Sequence, residues 1–430
     1  RFVFHYDGLF GQDAYEYERY ADDLMNYYST GNKPAEMYWP VNYSYAGSLF
    51  KNIFPQPGFS LQLISSVSLS FVCHYSARLI SFLCNADKKI IFPYVITFII
   101  FSPYVFRNSF SAMPDLMAAA LVTAAIYYSV LYYNSRKSTD IILALIISVF
   151  AFFTKYAAGI ILIIPVMYGL ILLTKKNPLV FLFLPILVFI ALMPELILTD
   201  DIFAFRSMIP DLHWDFINYS KNSFETAEGS SEYFLPGIIY AFENIFHPGY
   251  FFIGIVLLII FLIKRKYFSI TKVQLIYLSA PVILFALFLG GIPRQNDRFL
   301  ILSFPLIIVL FFPIWNYLFC GIKSPAIRKC IIPVCLLVNV TLTFFAFKGI
   351  YSRNQMEQKA SRDIMATGNK LLYTFEADMA IKSRGFNGHI INFWDIDIHS
   401  FSVGALVFIN EKNIESQWDT KRPAKNLSTL

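Results

Sequence analysis

Long apolar runs, each near the length that crosses the hydrocarbon core of a bilayer, alternate with short polar breaks along most of the chain. Phe59–Cys84, Ile90–Phe106, Leu116–Tyr133, Ile141–Phe153 and Ala157–Leu173 are predicted as spans. Leu179–Leu198, Gly249–Ile263, Val273–Gly290, Phe299–Phe319 and Ile331–Phe347 follow, about ten in all. Ile141–Phe153 and Ala157–Leu173 are short and joined only by Thr154-Lys155-Tyr156, so this pair also reads as one broken hairpin that stops before the far surface. Before the first run, 1–58 is rich in Tyr and acids, and Gly11–Met25 is predicted as a helix lying along the membrane surface. After the last, 348–430 is polar, with strand-like runs at Leu371–Phe375, His389–Trp394 and Ala405–Asn410 around a helix-like Glu376–Arg384.

Composition agrees with this pattern. Hydrophobic residues make up 57% of the 430 residues and charged residues only 15%, against about 25% charge in a soluble domain. A chain with a mean hydropathy of +0.54 lacks the polar surface to coat itself in water. The expected class is an all-α polytopic membrane protein. Three parts are expected: a first outer loop with amphipathic helices (1–58), a transmembrane bundle (59–347) with an outer loop at 199–248, and a small α/β outer domain and tail (348–430). The five cysteines lie in or beside apolar runs without Cys-x-x-Cys spacing, which supports neither a zinc site nor a disulfide framework. The net charge of +6 is read as orientation, with no nucleic acid expected as partner.

Lys88/Lys89, Arg136/Lys137, Lys175/Lys176, Lys264-Arg265-Lys266 and Lys323/Arg328/Lys329 occupy every second loop. The intervening loops are acidic or mixed, and Asp200, Asp201, Asp211, Asp215, Glu225, Glu228, Glu232 and Glu243 crowd the longest. By the positive-inside rule the basic loops face the cytoplasm. A first segment that is already outside calls for a helix before Arg1, so about eleven spans are expected.

Charged residues near span ends are functional candidates because they are costly at membrane depth. Asp13, Tyr15 and Glu16 in the first outer segment, Arg107 and Asp115 around the next short loop, Lys155 between the two short spans, and Arg294 and Arg298 before a late span all fall on the outer side. Carboxylates suit proton abstraction, and cations suit stabilisation of a phosphate. Plainer roles compete: Asp13 and Asp115 also fit helix caps, and Lys155 also fits an interfacial side chain reaching for water.

Four short motifs carry a resemblance: Gln12-Asp13-Ala14-Tyr15-Glu16-Tyr17, Met113-Pro114-Asp115, Thr154-Lys155-Tyr156 and Arg298-Phe299-Leu300-Ile301-Leu302-Ser303-Phe304-Pro305. In this order and on one side, they resemble the GT-C superfamily of lipid-phosphate-sugar glycosyltransferases. The closest branch is that of protein O-mannosyltransferases and the aminoarabinose transferase of lipid A. The latter branch carries a Glu-Lys-Pro-Pro run whose Lys touches the donor phosphate; here the slot reads Glu36-Met37-Tyr38-Trp39-Pro40, without Lys.

The resemblance implies a GT-C-like bundle; usage rich in Ile, Lys, Phe and Asn, with no eukaryotic targeting signal, points to a bacterial inner membrane, and the loop charges to an active site facing outside. The resemblance also implies a polyprenyl-phosphate sugar as donor and a glycan, lipid or protein acceptor. No cofactor is expected, and since the outer segments hold no Asp-x-Asp run or paired His no metal either, although Asp13, Glu16 and Asp115 could meet around one ion. Asp13 and Asp115 are then the catalytic candidates, Asp13 as base in one inverting displacement. Lys155, Arg294, Arg298, Tyr15, Glu16 and Arg107 are the binding candidates. The alternative readings are a lipid-linked-glycan flippase or transporter and an O-antigen polymerase or ligase.

The charge alternation makes a direct prediction. In intact cells, an impermeant thiol reagent is expected to label Ser220→Cys and to spare Lys264→Cys; the reverse pattern inverts the topology.

Overall fold

The computed structural model describes residues 5–35, 37–176, 178, 180–198, 206, 209–210, 212–227, 229–268 and 271–430. Asp200, Asp201, Asp211 and Glu228 of the acidic loop lie outside the described residues, as do Glu36, Leu179 and Thr199. The molecule is mostly helical, at 69%, with small sheets only. All ten apolar runs contain a helix. Among the described residues six helices are long and apolar enough to cross a membrane, and a bent pair makes a seventh.

The first outer segment forms α1 (Gly11–Thr30) and α2 (Asn42–Lys51). Ala14, Tyr17, Ala21 and Leu24 recur at helical spacing and bury one face of α1. The helix stops where Gly31 turns left-handed, φ 76°, and its N–H bonds the Tyr27 carbonyl at 2.8 Å. Tyr17 and Tyr43 meet edge to face with centroids 5.4 Å apart, and the Tyr43 hydroxyl donates to the Leu61 carbonyl at 2.9 Å. Gly47 lets α2 approach the next helix, because a Cβ there would lie 2.3 Å from Leu61.

The bundle begins with α3 (Phe59–Cys84). The run Ile90–Phe106 is not one straight span. It breaks into α4 (Lys88–Val95), a π turn over Ile96–Ile100, and α5 (Pro103–Ser109), bent by 73°. Proline at the start of α5 cannot continue the preceding hydrogen-bond ladder. The Thr97 carbonyl in the π turn accepts from buried Asn339 at 2.7 Å. At the centre runs α6 (Asp115–Ser135), whose Ala118, Ala119, Ala120, Ala124 and Ala125 permit close packing by α3 and by α7 (Ser138–Phe152). At 15 residues α7 is roughly 22 Å long, short of the bilayer core. It is followed by α8 (Ala158–Lys176) and α9 (Val180–Leu198).

The outer loop contains an antiparallel hairpin, β1 (Ser223–Thr226) with β2 (Gly229–Glu232), and three one-turn helices between Gly237 and Phe251. The run Gly249–Ile263 divides at Gly254, where a Cβ would stand 1.7 Å from the Ile245 carbonyl oxygen. Phe299–Phe319 opens as a 3-10 turn, Asp297–Leu302, before Phe304–Gly321.

The last span does not end at Phe347. One helix runs from Pro325 to Ala366, 42 residues, or roughly 63 Å. No proline follows Pro333 in it, and an Arg353–Glu357 pair at 2.9 Å spans one turn of its polar end. Beyond it lies a parallel sheet of order β4-β3-β5, with β3 Leu371–Thr374, β4 His389–Asn392 and β5 Leu406–Phe408. A short helix, Asp378–Ser383, connects β3 to β4.

Replacing Asn339 by Leu should leave the Thr97 carbonyl unpaired in a buried π turn. We expect a loss of about 1–3 kcal/mol, read as a lower thermal midpoint in detergent; an unchanged midpoint would show that the bent pair does not depend on this bond.

Candidate active site

Asp13 is the third residue of α1 and faces the bundle. Its Oδ2 accepts from Arg298 Nη2 at 2.8 Å. The first turn of α1 has no side-chain cap of its own, so the Asp13 carboxylate serves the guanidinium and not its own helix. Arg298 projects from the 3-10 turn, which three buried residues of the outer loop hold in place. Tyr240 Oη donates to the Asn296 carbonyl at 2.7 Å and accepts from the Asn296 N–H at 3.0 Å. Tyr250 Oη donates to the Asp297 carbonyl, and Asn244 Nδ2 donates to Leu300 O and Ser303 Oγ.

Asp115 is not a side-chain cap either. Its Oδ1 accepts from Lys155 Nζ, and its side chain is 1% exposed. The loop before it is pinned by Ser65 Oγ, which donates to the carbonyls of Ser111 and Met113 at 3.0 and 3.1 Å. Lys155 sits in the turn between α7 and α8. There Thr154 Oγ1 donates to the Phe150 carbonyl at 2.7 Å, and the Asn42 N–H of α2 donates to the Phe153 carbonyl at 3.2 Å. The ammonium lies 4.7 Å from the centroid of Phe299, the residue after Arg298.

The two ion pairs act on one another. Burial outweighs the attraction of Asp115 and draws Lys155 below the ordinary lysine range, and the nearby Arg298 charge lowers it further. Burial also works against Arg298, but Asp115 and Asp13 overcome it and hold the guanidinium above its ordinary value. Tyr17 is pushed far up, first by burial and then by the Asp13 and Asp115 charges. Two carboxylates and two cations thus stand as a pair of coupled ion pairs, with Asp13, at 35% side-chain exposure, the more accessible carboxylate.

The other sequence candidates fall around this group. Arg107 pairs with Asp297 at 2.8 Å and stacks 4.6 Å over Tyr104. Glu16 turns to Arg19 at 2.8 Å on the solvated face of α1. The Tyr15 hydroxyl donates to Glu357 at 2.9 Å and accepts from Arg384 at 2.8 Å. Arg294 stays half-buried on the loop that leads to Arg298.

A cavity of about 520 Å³ opens beside Asn296 and Asp297, lined by Tyr233, Phe234, Glu243 and His247 among others. The sequence did not single out His247, Glu357 or Arg384, nor give Glu243 a role; it offered Asp297 as a partner for Arg298, whereas Asp297 pairs with Arg107 and Arg298 with Asp13. The i,i+4 spacing of Glu243 and His247 was the one available signal, and in the structure they stand 3.5 Å apart. Among the described residues no three His, Cys, Asp or Glu side chains come together as a metal cage.

A polytopic bundle whose mouth gathers acids and cations from separate loops fits a membrane-embedded glycosyltransferase of the GT-C class. The chain belongs to the Alg9-like mannosyltransferase family, whose model matches residues 37–377. Asp115, Lys155 and Arg298 lie inside that stretch, and Asp13 precedes it. No curated protein matches the sequence. The fold is similar to that of ArnT from Cupriavidus metallidurans in its apo state: 10% identity, TM-score 0.54, 89% of this chain and 81% of that one covered. The structure of the same protein bound to undecaprenyl phosphate is similar at 11% identity and TM-score 0.54, covering 89% and 82%.

Burial, reinforced by Asp297, raises the Glu243 carboxyl from 4.5 to about 7. The folded state therefore holds this proton more tightly than the unfolded chain. Stability it contributes at low pH is lost as pH rises through 4.5 to 7, by about 3 kcal/mol at most. Thermal unfolding at several pH values should show this decline in the wild type and not in Glu243→Gln; parallel profiles would reject the shift.

Proposed function

We propose that the protein transfers a sugar from a polyprenyl-phosphate donor to an acceptor hydroxyl on the outer face of a bacterial plasma membrane, with inversion. The observation that carries this reading is the half-exposed Asp13 carboxylate bound to Arg298 and flanked by Lys155 at the outer end of the bundle. The solved ArnT complex with undecaprenyl phosphate supports the choice of donor. The alternation of basic and acidic loops supports the side.

In this reading a donor phosphate draws the Arg298 fork away from Asp13. The freed carboxylate takes the proton of the acceptor hydroxyl as its oxygen attacks the anomeric carbon. The bond from that carbon to the phosphate oxygen breaks, and its electrons leave with the lipid phosphate. A diester with one negative charge becomes a monoester with up to two, so one further charge develops in the transition state. Arg298 and Lys155 stabilise it in a site where burial strengthens them. Asp115, paired and buried, keeps Lys155 in place. Arg294 and Arg107 extend the cationic rim, Tyr15 and Glu16 support α1 from its other faces, and no metal takes part.

Asp13→Asn keeps shape and loses the base, so turnover should fall about 100- to 10,000-fold with the protein still folded. More than about half of wild-type turnover would reject the role. Arg298→Lys loses the planar fork and is expected to cost far more turnover than Arg265→Lys on the exposed basic loop. Chelator should leave transfer unchanged; loss in EDTA restored by Mg²⁺ or Mn²⁺ would replace this mechanism with a metal-dependent one.

A further inference from the structure

The first turn of α1 carries Asp13, yet nothing local fixes that turn. Phe10 at its N-cap offers no side-chain bond, and Gly11 adopts φ +64°. The first four N–H groups of a helix need partners from elsewhere, and that of Gly11 finds its partner 346 residues away. Glu357, buried in the polar end of the 42-residue helix, accepts from the Gly11 N–H at 3.2 Å through Oε1 and from Tyr15 Oη at 2.9 Å through Oε2. The Oε1 atom also accepts from Arg353 at 2.9 Å, which balances the buried charge.

Bonds on either side make this a clamp. Gln12 Nε2 donates to Asp378 at 2.6 Å. Arg384 donates to Tyr15 Oη and to Asp7, both at 2.8 Å. Asn354 Nδ2 donates to Asp7 Oδ1 and to the Leu9 carbonyl, both at 2.5 Å. Every residue gripped lies between Asp7 and Tyr15, and every gripping residue lies between Asn354 and Arg384. Asp13 sits inside the gripped segment and, among the described residues, is held from the other side by Arg298. Tyr15 stays a donor, because burial and the Glu357 charge push its hydroxyl far above the ordinary phenol range.

We infer that Glu357, with Tyr15 and Arg384, is a positioning unit that fixes the first turn of α1 so that Asp13 meets Arg298, which makes the C-terminal unit part of the active-site machinery. The kinetic consequence rests on the function proposed above. None of the three need touch the reacting atoms; they act through Asp13. A carboxylate about 1 Å out of place is enough to slow transfer by roughly tenfold to a hundredfold.

The test uses the full-length protein in detergent or liposomes. Tyr15→Phe removes both bonds of the hydroxyl, to Glu357 and from Arg384, at nearly constant volume, and Glu357→Gln removes the charge. Both should speed amide exchange in residues 11–15 while α3 and α6 keep wild-type protection, and both should lower kcat by roughly tenfold to a hundredfold with KM for the donor unchanged. In an Asp13→Asn background neither change should cost more, because their effect passes through the lost carboxylate. Unchanged exchange at 11–15, or losses that simply add to that of Asp13→Asn, would overturn the inference. If Glu357→Gln fails to fold, Tyr15→Phe carries the test alone. An Asp13→Asn protein with near-normal turnover would instead remove the base assignment, and the exchange measurement would still decide whether the clamp holds α1.

Discussion

The ion pair between Asp13 and Arg298 joins an amphipathic outer helix to the mouth of the membrane bundle, and the surroundings of both residues are organised to keep it in register. A pair at this exposure contributes only about 0–1 kcal/mol, so it cannot hold two separate elements together by itself. Geometry has to come from elsewhere. On the arginine side Tyr240, Asn244 and Tyr250 lock the 3-10 turn; on the aspartate side the turn of α1 is gripped by the C-terminal unit. The weak contact stays breakable, as the proposed mechanism, in which a phosphate displaces Asp13 from Arg298, requires.

The second pair works differently. Lys155 and Asp115 are buried, and isolating either charge there would cost several kcal/mol. The Asp115 charge is therefore what holds Lys155 protonated against its burial. The burial that lowers Lys155 also strips it of competing water, so an anion arriving beside it meets a cation poorly screened by solvent. One pair is accessible and loose, the other sealed and fixed, and Tyr17 feels the carboxylates of both.

The sequence announced the spans and brought Asp13, Asp115, Lys155 and Arg298 to one leaflet, because hydropathy and loop charge respond directly to the bilayer. It could not show which acid meets which base. Asp13 and Arg298 are 285 residues apart and their meeting depends on how helices pack. The helix past Phe347 was missed for a related reason. Hydropathy marks where lipid ends, whereas backbone hydrogen bonding continues until a breaker or a cap intervenes, here after Ala366. The π turn near Thr97 and the 3-10 turn at Arg298 also escaped, since both keep an apolar pattern while changing the hydrogen-bond period. The strands of the C-terminal unit were readable from their short apolar runs; its grip on α1 left no trace in local sequence.

The 42-residue helix has a mechanical consequence. Within its apolar part only 11% of residues are buried against the protein, so lipid surrounds most of it. Helices of fixed apolar length adjust to bilayer thickness by tilting. Since this one continues unbroken to Glu357, it is a lever with its long arm in lipid and its tip on the turn that carries Asp13. A change in membrane thickness that tilts this helix would then be felt at the alignment of the Asp13 carboxylate.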